Sequence, residues 1–222
     1  MVAPAPSNRP RLRADAELNR QKVLAAASAL YAARGLDVSL NEIAKTAGVG
    51  LATLQRNFAH REDLVVAVFT TRVSDYADAA EQALAVADPW EGFSTFVHGV
   101  FAMQCADHGF AAVLTTALSA STELDRARRR AYRGFSTLVR RAKGAGVLRE
   151  DFSPHDLPLF LLANAGVIGG TGATAAKASR RLAGFLLQSC RAVGYPRLPS
   201  GPSPAALLRS LQEAGRPTAE PP

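Results

Sequence analysis

Residues 41–64 read NEIAKTAGVGLATLQRNFAHREDL, and this stretch decides the fold. It holds two helical patterns, each too short to stand alone, pinned together by Ala47-Gly48-Val49-Gly50. In the first, Leu40, Ile43, Ala44 and Ala47 form an apolar stripe. Ser39, with Glu42 three residues on, has the form of a capping box, in which hydroxyl and carboxylate satisfy otherwise orphaned backbone N–H groups. Gly48 and Gly50 flank Val49 in a tight turn, after which Leu51, Leu54 and Phe58 give the second helix a buried side. At about 100° per residue, turning Leu54 and Phe58 inward sends Ala52, Thr53, Arg56 and Asn57 to the opposite side. Gln55 falls on the flank, and Thr53 and Arg56 point most directly away.

Upstream, Leu18, Val23, Leu24, Ala27, Leu30 and Tyr31 recur at helical spacing, and Gly35 sits where a left-handed cap belongs, so a first helix is predicted over about 15–34. Downstream, a long fourth helix runs from roughly His60 to Val86. The rest also reads as helical, with breaks at Asp88-Pro89, His108-Gly109, Lys143-Gly-Ala-Gly146 and the Gly169-Gly-Thr-Gly172 loop. No sustained period-two strand signal and no internal repeat occur, so the fold class is all-α. Residues 1–13 combine Pro4, Pro6 and Pro10 with Arg9, Arg11 and Arg13 and read as a flexible basic arm. Residues 195–222, where prolines return, read as a mobile tail with at most a short helix over AALLRSLQ.

The 222 residues are 48% apolar, enough to bury a sizeable core. Lys and Arg number 26 against 19 Asp and Glu; the net charge of +7 and a pI near 10.0 favour a polyanionic partner, nucleic acid or an acidic membrane surface. Two cysteines, Cys105 and Cys190, make neither a disulfide framework nor a CxxC metal signature, which points to a reducing cytoplasm and no metal or cofactor. No signal peptide pattern opens the chain, and no uninterrupted apolar run approaches the ~20 residues of a membrane span. There is no P-loop, HExxH or nucleophile elbow, and Cys105 near His98 or His108 lacks a visible orienting third group, so an enzyme is not expected.

A short helix, a glycine turn and a second helix with a polar outer face form the helix-turn-helix geometry, whose second helix enters the DNA major groove. Arg forks onto guanine, Asn and Gln pair with adenine, and Ala or the Thr methyl touches thymine methyls. Any surface helix also displays polar residues, so the face alone does not decide. The wider spacing does: Asn19-Arg20, Val23-Leu24, Ala26, Leu30-Tyr31, Gly35, Leu40, Ile43-Ala44, Ala47-Gly48-Val49, Thr53-Leu54, Phe58 and Arg61-Glu62-Asp63-Leu64 resemble the TetR family of transcriptional regulators. Where that family commonly has tyrosine after Thr-Leu, this chain has Gln55; His60 replaces the usual small cap and Arg61 the usual lysine. The candidate DNA contacts are Arg11, Arg13, Ser39, Gly50, Leu51, Ala52, Thr53, Gln55, Arg56, Asn57 and Arg61. Among these Ser39, Asn57, Arg61 and the arm arginines suit phosphate.

The resemblance implies a helix-turn-helix domain over 14–62, joined by the long helix to a ligand-binding and dimerisation domain over 63–194. Trp90, Phe93, Val97, Val100 and Phe101 share one helix face, which Gln104 and His108 continue; with Phe110, Leu114 and Leu118 opposite, this has the pattern of a small-molecule pocket and equally of an ordinary core helix. SPHDLPLFLLANAGVI at 153–168 has a well-formed helix start and then an almost wholly apolar run, which must be buried on most sides. With the helix near 173–193 it matches the family's two-fold dimer contact, and a monomer core would use the same residues. Arg126, Arg128, Arg129, Arg130 and Arg133 read as a solvated helix face. The expected function is a cytoplasmic homodimeric repressor, released from a palindromic double-stranded DNA operator by a small molecule. A ligand-independent regulator or activator, a small-molecule-binding protein and a nonspecific nucleoid protein are the alternatives.

Overall fold

The structure, a computed structural model, describes residues 9–115, 122–192, 197–203, 205–207 and 209–210. Helix α1 spans Arg9–Arg34, α2 Leu40–Ala47, α3 Leu51–Asn57 and α4 Arg61–Ala85. They are followed by α5 Pro89–Ala106, α6 His108–Thr115, α7 Thr122–Gly144, α8 Leu157–Thr171 and α9 Ala175–Cys190. Among the described residues there is no strand, only one isolated bridge between Leu148 and Arg191.

Helix α1 starts at Arg9, well before the expected residue 15, so the backbone of Arg11 and Arg13 is helical. Pro10 permits this, because a proline in the first turn gives up an N–H that has no partner within the helix. The rest of the arm and the side chains of Arg11 and Arg13 lie outside the described residues. The buried stripe begins at Val23 and continues through Ala27 to Tyr31, whereas Leu18 is exposed. These side chains meet Ile43 and Ala44 of α2, Leu54 of α3, Phe58 and Leu64 in one core that runs on through α4.

Helix α4 carries Leu64, Val65, Phe69, Val73, Tyr76, Ala77, Ala80 and Ala83 inward at three- and four-residue steps, which buries one stripe along its whole length. Its C-terminal half is clamped by α7. Arg130 Nε pairs with Glu81 at 2.6 Å and the same guanidinium holds Asp78, while Arg141 donates to the carbonyls of Leu84 and Ala87 at 2.8 and 2.6 Å. The arginine run is therefore not simply a solvated face: Arg130 is committed to α4, and Arg128 donates to the Val113 carbonyl of α6. Phe96 and Phe135 stack at 5.2 Å, with Phe93, Tyr76 and Phe152 around them, as the aromatic centre of the C-terminal half.

Three further helix boundaries differ from the sequence expectation. The chain breaks at Asp107, with His108 and Gly109 inside α6, because the Asp107 carboxylate accepts from the Phe110 N–H at 2.9 Å and caps the new helix. Helix α8 runs through Gly169 and Gly170 and ends only at Gly172. Ser153 and Asp156 do form a reciprocal capping box, but around a 3-10 turn, Pro154–Asp156, that precedes α8.

Helix α8 is not buried on most sides within one chain. Leu157, Leu161, Asn164 and Ile168 face the interior, whereas Leu159 and Leu162 are exposed, as is Phe185 of α9 at 57%. Among the described residues of one chain a packing partner is supplied for one face only. The Pro154–Cys190 segment is long and apolar enough by composition to cross a membrane, yet it is broken at Gly172. Its two helices, of 15 and 16 residues, each fall short of the ~20 residues a span requires.

Part of the expected mobile tail is placed. The Leu198 N–H donates to Asp151 Oδ2 at 2.8 Å, and residues 197–203 lie over a groove of about 710 Å³ between the 151–160 segment and the end of α9. Helix recurs at 205–207 and 209–210, within AALLRSLQ.

Candidate nucleic-acid interface

The turn between α2 and α3 is set by Gly48, whose φ of 67° is left-handed and readily adopted without a Cβ. Its N–H bonds back to Lys45 at 3.2 Å, and the next N–H, of Val49, to Ala44 at 3.0 Å, closing α2. Gly50 then caps α3, its carbonyl accepting from Thr53 and Leu54. At the other end of α2 the Ser39 hydroxyl accepts from the Glu42 N–H at 3.2 Å. The expected second half of this box is replaced, because the Glu42 carboxylate instead pairs with Arg34 at the end of α1. A cation within reach outbids a neutral N–H for a carboxylate.

Helix α3 is held from below by Leu54 and by Phe58, over whose ring the Arg20 guanidinium lies at 4.6 Å. Its outer surface consists of Ala52, Gln55 and Arg56, all exposed, with Leu51, Thr53 and Asn57 half-buried. Thr53, expected to point most directly away, is thus half-buried, with Arg56 bonded to its hydroxyl. Arg56 folds along the helix, its Nη2 donating to Thr53 Oγ1 at 3.1 Å and its Nε to the Ala52 carbonyl at 3.2 Å. The Asn57 amide donates to the Thr53 carbonyl at 2.8 Å. These are exposed or local bonds that a polyanion or a base edge can replace.

Arg61 is half-buried and donates to the Val38 carbonyl at 2.8 Å, so part of its fork ties the start of α4 to the loop before α2. At that start the His60 N–H donates to Asp63 Oδ2 at 3.0 Å, which fixes the chain direction into α4. Burial lifts the Tyr31 hydroxyl above its ordinary pKa, with the Arg61 charge acting in the opposite sense.

A junction that sequence reasoning passed over connects this region to the C-terminal half. Arg72 of α4 pairs with the buried carboxylate of Asp107 and reaches Ser28 Oγ of α1 at 3.4 Å. The Ala32 carbonyl of α1 accepts from His108 Nδ1 at 3.1 Å. At Gly109 a Cβ would stand 2.6 Å from the Phe69 ring and 2.9 Å from the Tyr31 carbonyl, so only glycine lets α6 approach this closely. The signal was present, Asp-His-Gly in a row, but it reads as a plain helix break.

Most of the residues proposed to line a ligand pocket lie in the interior. Phe93, Val97, Phe101, Gln104 and Phe110 are buried, Trp90 and Leu114 half-buried and His108 exposed on the α1 side. Trp90 carries the Arg191 guanidinium over its ring at 4.0 Å. Gln104 donates to the Leu161 carbonyl at 3.2 Å and accepts from Asn164 at 2.8 Å, a polar pair in the core. Phe101 lines a cavity between α5 and α9. Leu118 lies outside the described residues. Among the described residues no cluster of metal-ligating side chains forms.

Compared with known proteins, residues 23–68 match the model for bacterial regulatory proteins of the tetR family, and residues 88–189 that for the C-terminal domain of SbtR-like transcriptional regulators. The crystal structure of a TetR regulator from Mycobacterium vanbaalenii is 30% identical, over 81% of this chain and 99% of that one, with a TM-score of 0.49. SCO0520 from Streptomyces coelicolor is 28% identical, over 79% of this chain and 99% of that one, with a TM-score of 0.52. FadR from Bacillus subtilis, solved with stearoyl-CoA, shares the fold at 16% identity and a TM-score of 0.55, over 78% and 99% of the two chains. No curated protein matches. The chain belongs to the TetR family of transcriptional regulators, DNA-binding proteins with an N-terminal helix-turn-helix and a helical C-terminal domain.

Proposed function

We propose that the protein is a homodimeric repressor that reads an approximately palindromic operator with α3 and leaves it when a small molecule occupies the C-terminal domain. The observation that carries this reading is the outer surface of α3: Ala52, Gln55 and Arg56 stand exposed above a helix whose other side is locked by Leu54 and Phe58. Arg56 and Gln55 are the base-reading groups, and Ser39, Asn57 and the remaining donors of Arg61 take phosphate. The exposed Leu159, Leu162 and Phe185 supply the dimer contact, since a two-fold axis lets one apolar patch cover its own copy.

Release requires a ligand with greater affinity for the form that does not bind DNA. In the fold it shares with FadR from Bacillus subtilis, that protein holds stearoyl-CoA, which supports a small-molecule role for this C-terminal domain. The dense packing of Phe93, Val97 and Phe110 favours a second reading, a regulator on the same fold whose DNA affinity no ligand at this face of α5 sets.

The test is enrichment of bound duplexes from randomised DNA by the full chain at two salt concentrations, because phosphate-dominated affinity falls steeply with salt. A recovered palindrome is expected. A folded protein that enriches no sequence overturns the reading. A screen for molecules that dissociate the recovered complex then separates the ligand-released repressor from the ligand-independent one.

A further inference from the structure

Helices α5 and α9 meet along two faces of small side chains and leave a cavity of about 330 Å³ between them. On α5 its lining residues, His98, Ala102, Cys105 and Ala106, follow one helical face; on α9 Ala176, Ser179, Arg180 and Ala183 do the same, with Phe101 as the apolar floor. The alanines are the cause of the space, because two helices at ordinary separation fill such a seam only with longer side chains.

The polar groups of this cavity are unbalanced. Arg180 is exposed at its mouth and makes no ion pair among the described residues. His98 is exposed on the opposite wall, and no carboxylate lines the space. Ser179 is buried at 1% exposure and lines the space from the α9 side. A hydroxyl on the wall of such a space can donate to the anionic head of a guest. The cavity opens away from Phe185, which lies about 200° around α9 from Ala183, so a copy seated on Phe185 leaves the mouth clear.

The geometry points to a binding site for a small anionic amphiphile, its carboxylate or equivalent head on Arg180 and Ser179 and its hydrocarbon between Ala102, Phe101 and Ala183. The volume admits on the order of ten non-hydrogen atoms, the size of a medium-chain carboxylate rather than of a nucleotide conjugate. The site borders the face of α5 that carries Phe93 and Val97, sharing Phe101 with it, and it does not depend on DNA being the partner of α3. Its occupant lies within one helical turn of Asp107, at the end of α5.

The test is titration of the full-length protein with octanoate and, in parallel, with octanol, followed by calorimetry and by backbone amide shifts. One octanoate per chain is expected, with shifts centred on 98–106 and 176–183. Arg180→Gln should weaken octanoate about tenfold or more while leaving octanol unchanged, as loss of one charge-assisted contact predicts. Ala102→Leu, at an exposed position, should weaken both. Unchanged helicity of both variants guards against misfolding. Equal octanoate affinity in wild type and Arg180→Gln, shifts confined to the groove under 197–203, or no binding at millimolar octanoate would each overturn the proposal. Operator selection is a separate readout, so failure here and failure of the DNA reading are distinguishable.

Discussion

Arg72 and Asp107 stand 2.5 Å apart, with the carboxylate 2% exposed and the guanidinium 38% exposed, and through them α4 grips the residue that starts α6. Removing one partner of a buried pair leaves the other charge desolvated, a cost of about 3–5 kcal/mol in the fully buried limit. Because Arg72 is part-solvated, Arg72→Ala should lower stability by about 2–3 kcal/mol by urea unfolding. Asp107→Ala should cost at least as much, since it also uncaps α6, and the double variant should cost less than the sum.

Arg56→Ala should relax base discrimination at one operator position by about 1–3 kcal/mol while leaving thermal stability nearly unchanged, because the side chain bonds only to its own helix. Asn57→Ala should weaken all duplexes more evenly. Binding measured on matched and mismatched duplexes tests this, and equal losses on both for Arg56→Ala would remove Arg56 from the reading face.

Phe185→Glu should shift the protein from dimer to monomer in sedimentation, weakening association by about 2 kcal/mol or more. Helicity should persist, because Phe185 is exposed in a single chain, where the Arg181 guanidinium lies over its ring at 4.8 Å. A dimer of unchanged affinity would place the contact elsewhere.

The Arg149 guanidinium and the Leu198 N–H hold the Asp151 carboxyl well below the usual carboxylate range. A depressed acid supports the folded state above its unfolded pKa, and this support is lost as pH falls through the lower folded value. Asp151→Asn should therefore reduce the melting temperature at neutral pH and flatten its dependence on pH below about 4. The same variant should hasten tryptic cleavage after Arg197, since it weakens the bond that holds Leu198.

What could be read from the sequence follows from how local each cause is. The α2 and α3 pair was legible because Ile43, Ala44, Leu54 and Phe58 fix their own faces and Gly48 fixes the turn between them. The outward set was legible less fully: half-burial of Thr53 depends on how Arg56 folds over it. Pairing of Glu42 with Arg34 was not legible, since it requires knowing where α1 ends relative to α2. An apolar face such as Phe93-Val97-Phe101 looks the same whether it fills a core or lines a cavity, and only the opposing helices decide. The cavity between α5 and α9 is marked by alanines, which carry little signal in a sequence.

Helix α4, at 25 residues, is a rod of about 37 Å. Arg130 and Arg141 grip it near one end, and the helix-turn-helix is packed on the other. A tilt of about 5° about the gripped end carries the far end through about 3 Å, close to the roughly 3.4 Å that separates successive base pairs along DNA. In the proposed dimer the displacements of two such rods add, so a shift too small to disturb any packed side chain near Ala80 would put the two α3 helices one step out of phase with the proposed half-sites.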